Sequence, residues 1–391
     1  MNIDEFNKYV VQSYNRFPIK LERAEGSYVY SGDKKYLDYM SGWGVSNLGH
    51  ANPDMTKAAH HQLDRLIHVP NVFYTDGQGE LAKKLVESSF TSQVFFSNSG
   101  AEANEAAIKF AKLFGSSTNR YEIITFNKSF HGRTAATMAA TAQDSIHAKE
   151  FMPHLEGFHY VDFNDSKALE FAISDKTIAI MLEFVQGEGG INIATPEFIA
   201  TISRLRDEHD LLVIADEVQT GIGRTGKLFA YQNYDITPDI LTLAKALAGG
   251  LPVGATLISP KVSQLVKPGM HGSTFGGGAV IAEASMTMIN QTEQVISSDT
   301  FRDLINLFSK ELEKIKNNSQ HVTQTRQMGM MLAIELDVPA TDVVKNCLDN
   351  GLIINVTQTN IIRLLPPLTT TNQEVKMAFT IITDAIKKCT L

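Results

Sequence analysis

Leu-Leu-Val-Ile-Ala-Asp-Glu-Val-Gln, residues 211–219, is an uninterrupted apolar run that ends in a carboxylate. Residues 178–182, Ile-Ala-Ile-Met-Leu, form a second such run. Short apolar runs bounded by polar residues are typical of strands that are covered on both faces, as in parallel sheets. The two runs therefore predict an α/β domain with helices on both sides of its sheet.

Further β-rich runs lie on either side of these two and alternate with stretches of helical periodicity. In residues 103–114 and 196–208, apolar residues recur at spacings of three and four, which indicates helices that pack one face on the sheet. Strands joined by crossover helices form mainly parallel sheets. We therefore predict a large domain with a seven-stranded sheet, whose strands are residues 93–97, 121–126, 158–163, 178–184, 211–216, 240–243 and 253–259.

The two ends of the chain are expected to form a smaller α+β domain. Residues 298–315 and 372–388 have helical periodicity, and residues 329–335 are strand-like. The first 45 residues contain few helix signals and a hairpin signal at Gly32-Asp33. We predict an N-terminal segment at 1–50 that packs with the small domain, a large domain at 51–292 and a C-terminal small domain at 293–391.

The composition excludes several classes of protein. Of the 391 residues, 35 are Lys or Arg and 43 are Asp or Glu, so the formal net charge of −8 argues against a nucleic-acid-binding module. The apolar runs are far shorter than the roughly 20 residues that cross a membrane. The acidic N-terminus lacks the pattern of a secretory signal. Two cysteines without metal-ligand spacing favour a reducing compartment, so we expect a cytoplasmic protein without a metal site.

Three segments place polar or reactive groups directly after predicted strands. Residues 97–105 form a small-residue turn that opens a helix, and a helix N-terminus can bind phosphate; the alternative is an ordinary tight turn. Asp216 ends a buried strand, where open α/β sheets bind ligands, and its carboxylate can hold a proton on a heteroaromatic nitrogen. Lys245 lies among apolar and small residues, where desolvation would lower its pKa as a Schiff-base amine requires; the alternative is a solvated surface lysine.

Two arginines lie in unexpectedly apolar surroundings, Arg133 in FHGRT (130–134) and Arg363 in IIRLLPPL (361–368). A guanidinium in such a setting requires a planar anionic partner, and a substrate carboxylate is a natural one. An internal salt bridge is the alternative for each. Residues 221–228 nearly match a nucleotide-binding P-loop, but Leu228 stands where a Ser or Thr would have to bind magnesium.

As an ordered set, these motifs resemble those of the class III pyridoxal-phosphate-dependent aminotransferases, and most closely the acetylornithine/ornithine aminotransferase group. The resemblance runs from end to end of the chain. Its motifs are NSGAEANEAAIK (98–109), FHGRT (130–134), LEFVQGEGG (182–190), ADEVQTGIGRTGK (215–227), LAKALAGG (243–250), HGSTFGGG (271–278) and IIRLLPPL (361–368). The resemblance implies the fold of a fold-type I pyridoxal-phosphate-dependent transferase and a homodimer with its active site at the interface.

The resemblance also implies which residues bind pyridoxal 5'-phosphate. Lys245 would form the Schiff base, and Asp216 would pair with the pyridinium nitrogen, which keeps the ring an electron sink. The remaining implied contacts are those of Val218 and Phe130 with the ring faces, Gln219 with the ring hydroxyl, Gly100 and Ala101 with the phosphate through their N–H groups, and Thr274 with the phosphate of the other subunit.

For the substrates, the resemblance implies that Arg133 binds a carboxylate with help from Tyr14. Arg363 would bind the α-carboxylate of glutamate or 2-oxoglutarate. Glu188 would pair with Arg363 when the other substrate is bound, so that one pocket accepts two unlike substrates. The sequence departs from the family pattern at Ala101, where many relatives have Thr, at Gly278-Ala279, where Asn-Pro is frequent, and at Trp43, a position that varies with the substrate.

These implications lead to one expected reaction and several alternatives. We expect transfer of the terminal amino group of N2-acetylornithine to 2-oxoglutarate, which gives N-acetylglutamate 5-semialdehyde and glutamate in arginine biosynthesis. Ornithine, 4-aminobutyrate and succinyl-diaminopimelate are alternative donors. An aminomutase of the same group is a different class of enzyme and needs no external oxo acid. A catalytically silent binding protein is a third possibility, against which the presence of Lys245 argues.

Overall fold

Seven strands form one sheet at the centre of the chain. The structure, a computed structural model, describes residues 2–143, 145–147 and 149–389. Gly254–Ile258 runs antiparallel to both of its neighbours, and the other strand pairs of the sheet are parallel. From edge to edge the order is Gln93–Ser97, Gly254–Ile258, Ile240–Leu243, Leu212–Asp216, Thr177–Leu182, Glu122–Phe126 and Phe158–Val161. This arrangement confirms the predicted α/β fold with a mainly parallel seven-stranded sheet.

Apolar side chains cover both faces of this sheet. Ile180, Leu182 and Val213 belong to one buried cluster. Met181 and Ile214 belong to a separate one. Since successive residues of a strand point to opposite faces, the two clusters lie on the two sides of the sheet. This double burial is the physical reason why the central strands are continuous apolar runs.

Helices flank the sheet, and several of them begin at residues whose side chains cap them. Ser99 Oγ accepts the Glu102 N–H at 3.2 Å where Gly100–Gly115 begins. Thr195 does the same for Pro196–His209. The other helices of this part of the chain are Pro53–Leu63, Asp76–Ser88, Ala135–Ala140, Ser166–Ala172, Pro260–Ser263 and Ala279–Ile296. Short 3-10 helices cover Ser116–Thr118, Lys149–Phe151, Ala230–Asn233 and Lys245–Ala248.

The C-terminal part forms an antiparallel sheet covered by helices. Its strand order is Val322–Met328, Met331–Leu336, Ile361–Leu364 and Asn355–Thr357. The predicted strand at 329–335 begins two residues late, because Gly329 has a φ of +57° in the turn before it. The helices of this part are Asp299–Asn318, Thr341–Asp349 and Asn372–Cys389.

The N-terminal segment pairs with this C-terminal part. Arg23–Glu25, Tyr28–Ser31 and Lys34–Asp38 form an antiparallel meander with its predicted turn at Gly32. Lys34–Asp38 also pairs in parallel with Leu352–Ile353. The remaining elements are the helix Ile3–Tyr9, the turn Ser41–Gly44 and the hairpin strands Val185–Gln186 and Asn192–Ile193. The domain boundaries at 50 and 292 stay a prediction. Among the helices of the described ranges, none has the length and apolar character that a membrane crossing requires.

Candidate active site

A cavity of about 430 Å³ opens where the large sheet's strands end. It receives side chains from segments that directly follow four of these strands, as expected for an open α/β sheet. Nine of the residues predicted for the site line it: Gly100, Ala101, Phe130, Arg133, Glu188, Asp216, Val218, Gln219 and Lys245. The structure therefore brings together, in one cavity, residues that are up to 145 positions apart in the chain.

Asp216 ends the strand Leu212–Asp216 and is held by three donors. Asn104 Nδ2 donates to Asp216 Oδ2 at 2.8 Å, and the Val218 N–H donates to Oδ1 at 3.0 Å. His131 Nδ1 lies 2.7 Å from the same Oδ2. Asn104 is itself oriented by Thr242 Oγ1, which donates to its amide oxygen at 2.7 Å. These bonds fix the orientation of a carboxylate that is almost completely buried.

Lys245 lies in the turn that follows Ile240–Leu243, and its side chain reaches the cavity. Burial lowers the pKa of its amine, although the nearby Glu188 carboxylate acts in the opposite direction. Its φ of +42° is an unusual backbone conformation for a residue with a side chain, and such strain is common at functional sites. Within the described residues, no hydrogen bond or ion pair engages its Nζ. A buried amine with a lowered pKa is suited to nucleophilic and proton-transfer chemistry.

The helix Gly100–Gly115 begins at the wall of the cavity. A Cβ at Gly100 would lie 2.6 Å from Val218 Cγ1, so this wall has no room for a larger residue. Gly100 and Ala101 both line the cavity at the first turn of the helix. Because the first N–H groups of a helix have no partner within it, this end can bind an anion.

The two polar atoms of the Gln219 side chain have different surroundings. Its Nε2 donates to the Trp43 carbonyl at 3.2 Å, whereas its Oε1 has no hydrogen-bond partner among the described residues. Trp43 is 47% exposed and has a φ of +62°. The backbone of Trp43 is therefore tied to the cavity wall, although the residue does not line the cavity itself.

Arg363 is completely buried and forms the predicted pair with Glu188. Its Nη1 donates to Glu188 Oε1 at 2.7 Å and to the Gly187 carbonyl at 2.8 Å, while its Nη2 has no partner within the described ranges. Burial is the largest influence on Glu188 and acts to raise its pKa, but the charge and hydrogen bond of Arg363 together with the charges of Lys245 and Arg133 outweigh it, and the net shift is downward. Arg133 lies on the cavity wall with its guanidinium carbon 5.7 Å from the Phe130 ring centre.

Tyr14 and Thr274 lie apart from this cavity. Tyr14 is 60% exposed in the N-terminal segment, where the Arg16 guanidinium lies 5.4 Å from its ring centre. Thr274 is exposed in a loop that is tied to the cavity margin by Asn98 Nδ2, which donates to Ser273 Oγ at 3.3 Å. Neither residue is among the described residues that line the cavity of their own chain.

Sequence reasoning missed three residues that shape the site. His131 and Asn104 hold Asp216, and both lie within motifs that the sequence analysis quotes. Glu183 lines the cavity, and burial raises its pKa to about 7. The signal for Glu183 was present, because it interrupts an apolar run near the end of a predicted strand, and Asp216 also lies at a strand end.

Comparison with known proteins decides the family. The model of the family described as "Aminotransferase class-III" matches residues 9–386. The chain belongs to the class III aminotransferases. The sequence-based assignment to this family is thereby confirmed, as are the transaminase class and the pyridoxal-phosphate cofactor on which enzymes of this family depend.

Several relatives match this class III aminotransferase over nearly its full length. It is 43% identical to the acetylornithine aminotransferase of Caldanaerobacter subterraneus subsp. tengcongensis, over 97% of this chain and 98% of that protein. It is also 43% identical to the acetylornithine aminotransferase of Bacillus subtilis, over 96% and 97%. Among solved structures, the ornithine aminotransferase of Toxoplasma gondii matches with a TM-score of 0.93 at 29% identity, over 99% of this chain and 94% of that chain. The acetylornithine aminotransferase of Elizabethkingia anophelis matches with a TM-score of 0.86 at 32% identity, over 99% and 98%.

Proposed function

We propose that this aminotransferase moves the terminal amino group of N2-acetylornithine to 2-oxoglutarate, giving N-acetylglutamate 5-semialdehyde and glutamate, in the cytoplasm and as a step of arginine biosynthesis. The observation that carries the reaction is the grouping of Lys245, which is unpaired within the described part of the chain, and a cavity-facing arginine around one cavity, with a second, buried arginine beside it. The full-length similarity to acetylornithine aminotransferases then favours this amine over other donors.

The residues present fit the cofactor. Gln219 Oε1 is a buried acceptor with no partner among the residues that the structure describes, and the glycine at position 100 leaves space where a Cβ would collide with Val218. When bound, pyridoxal 5'-phosphate supplies an electron sink for the carbon that loses a proton. Lys245 would hold it covalently, with Asp216 at the ring nitrogen. The other contacts proposed are Val218 and Phe130 at the ring faces, Gln219 at the ring hydroxyl, and the Gly100 and Ala101 N–H groups at the phosphate.

A homodimer is part of this proposal. Thr274 would complete the phosphate site of a second copy, which is supported by its exposure outside its own cavity. Exposed apolar side chains in the N-terminal segment, such as Tyr9, Val11 and Tyr14, give further support, since a chain of this size normally covers such groups. We place Tyr14 at a substrate carboxylate only in that assembly.

The two arginines would bind the substrate carboxylates. Arg133 faces the cavity and would bind a substrate carboxylate, that of the amine donor or the distal one of the acceptor. Arg363 would bind the α-carboxylate of 2-oxoglutarate or glutamate once Glu188 leaves it, and the fork of a guanidinium suits a planar carboxylate. Lys245 Nζ would take the proton from the substrate carbon that carries the amino group, because its lowered pKa favours the free amine.

Steady-state kinetics with a panel of amines tests the proposal. We expect N2-acetylornithine to have the highest kcat/KM with 2-oxoglutarate, ahead of ornithine, 4-aminobutyrate and succinyl-diaminopimelate. Ornithine is the second candidate donor, because a solved ornithine aminotransferase matches this chain with a TM-score of 0.93. A higher kcat/KM for any other amine would refute the assignment of the donor. Repeated turnover without 2-oxoglutarate, beyond one equivalent of product per active site, would instead indicate an aminomutase.

A further inference from the structure

Two loops that carry substrate-recognition residues meet at one buried carboxyl group. The first loop, residues 130–133, begins with Phe130 and ends with Arg133, and we call it the arginine loop. The second loop, residues 187–190, contains Glu188, and we call it the glutamate loop. Glu183 Oε2 accepts the Phe130 N–H of the arginine loop at 3.0 Å, and its Oε1 accepts the Gly187 N–H of the glutamate loop at 3.2 Å.

The two oxygens of Glu183 thus serve different loops. A carboxylate is the side chain that presents two acceptors and no donor in one plane, so a glutamate can bind both N–H groups at the same time. The residue is 6% exposed and lines the cavity. Burial raises the pKa of its carboxyl group to about 7, although the nearby His131 acts to lower it. A buried carboxyl group is costly to keep, which indicates that the bridge contributes more than packing.

The glutamate loop is also joined to the C-terminal sheet. Arg363 Nη1 donates to the Gly187 carbonyl at 2.8 Å, and Gln358 Nε2 donates to the Glu188 carbonyl at 3.1 Å. Gly187 therefore binds Glu183 through its N–H and Arg363 through its carbonyl. A continuous chain of hydrogen bonds runs from the arginine loop through Glu183 to the guanidinium of Arg363.

We infer that Glu183 is a positioning residue that sets the separation between Arg133 and Arg363, and that it thereby selects the length of the dicarboxylate acceptor. This inference rests on the proposed roles of the two arginines. With Arg363 at the α-carboxylate and Arg133 at the distal carboxylate, a fixed separation would favour the five-carbon oxo acid over its four-carbon and six-carbon homologues. Without the bridge, the arginine loop loses its hydrogen-bond link to the glutamate loop and Arg363, although His131 stays bound to Asn104 and Thr141, and the preference for one chain length decreases.

The test compares oxaloacetate, 2-oxoglutarate and 2-oxoadipate as acceptors in wild type and in Glu183→Gln. The glutamine retains one acceptor but turns an N–H donor toward the second loop. We expect the preference in kcat/KM for 2-oxoglutarate over both other acids to fall by about tenfold, which corresponds to one lost charge-assisted hydrogen bond. The loss should come mainly from a higher KM for 2-oxoglutarate, with kcat nearly unchanged.

Glu217→Gln is the matched control. Glu217 is equally buried, its pKa is also raised by burial to about 7, and it accepts two backbone N–H groups, those of Ala230 and Tyr231. These groups lie in a turn outside the cavity. This variant should lose stability but keep the wild-type preference among the three acids. An equal loss of preference in both variants, or an unchanged preference in Glu183→Gln, would overturn the inference.

A binding measurement separates this inference from the proposed function. The unreactive dicarboxylates succinate, glutarate and adipate are titrated into the holoenzyme by calorimetry. Wild type should bind glutarate most tightly, and Glu183→Asp, which is one methylene too short to span both loops, should lose that preference. Because these ligands do not react, the result does not depend on which amine is the donor. If Glu183→Gln and Glu183→Asp both bound the three acids in the wild-type order, Glu183 would have only a structural role.

Discussion

Replacing Glu188 with Gln tests the shared use of Arg363 by a glutamate and a substrate. In the structure, Glu188 Oε1 accepts a hydrogen bond from Arg363 Nη1 at 2.7 Å, so an incoming substrate carboxylate would have to displace Glu188. A hydrogen bond to a charged group contributes about 1.5–3 kcal/mol. Since 31% of the Glu188 side chain is exposed, solvent weakens the pair and the lower end of this range applies.

About 1.4 kcal/mol corresponds to a tenfold change in an equilibrium constant. We therefore expect Glu188→Gln to lower the KM for 2-oxoglutarate by about tenfold, because the acceptor no longer competes with a carboxylate. The KM for the amine donor should not fall. In the variant, the charge of Arg363 has no carboxylate partner while the amine donor is bound. Thermal stability should also decrease, because the buried guanidinium of Arg363 loses its anionic partner.

Initial rates at fixed donor concentration measure the first effect, and thermal unfolding measures the second. Glu335→Gln is the matched control: Arg326 Nη1 and Glu335 Oε2 form a similar pair at 2.6 Å, with Glu335 30% exposed, but neither residue lines the cavity. That variant should lose stability without a change in either KM. An unchanged or higher KM for 2-oxoglutarate in Glu188→Gln would refute the reasoning.

Three further predictions concern stability and cofactor binding. As pH rises from about 4.5 to 7, the Glu217 carboxyl group ionises first in the unfolded chain, so the free energy of unfolding should fall by about 3 kcal/mol through this group. Urea titrations at pH 5 and 7.5 should show that Glu217→Gln removes this part of the pH dependence, and an unaltered pH dependence would exclude the effect. Arg224 is fully buried and donates to the Met330 and Pro366 carbonyls and to Asn47 Oδ1, so Arg224→Met should lower the free energy of unfolding by about 3 kcal/mol, which an undiminished urea midpoint would contradict. Gly100→Ala should weaken cofactor retention on dialysis by about tenfold, because its Cβ displaces Val218, and wild-type retention would be incompatible with this account.

The sequence was sufficient to predict the sheet and the strand ends at which the candidate site residues lie. Continuous apolar runs identify buried strands, and Asp216 and Lys245 follow two of them, so their location at one edge was predictable. The antiparallel direction of Gly254–Ile258 was not predictable, because its apolar pattern is the same in either direction. The predicted strand at 178–184 ends two residues early, at Leu182. The next residue, Glu183, directs its side-chain oxygens to two backbone N–H groups of other segments.

Contacts between distant segments could not be derived from local patterns. Glu188 and Arg363 are 175 residues apart, and only the family resemblance indicated their pairing. The contacts of His131 and Asn104 with Asp216 span 85 and 112 residues, and nothing in their neighbourhoods marks these two residues. Such pairs depend on how helices and loops pack around the sheet, which hydrophobic periodicity does not specify.

Borohydride reduction of the holoenzyme tests the central claim most directly. The reagent makes the bond between pyridoxal 5'-phosphate and an amine permanent, and digestion with mass spectrometry locates it. We predict that the cofactor mass is found on the peptide that contains Lys245, and that Lys245→Ala yields no labelled peptide and no turnover. A label on a different lysine, or an unlabelled wild-type protein, would contradict the account.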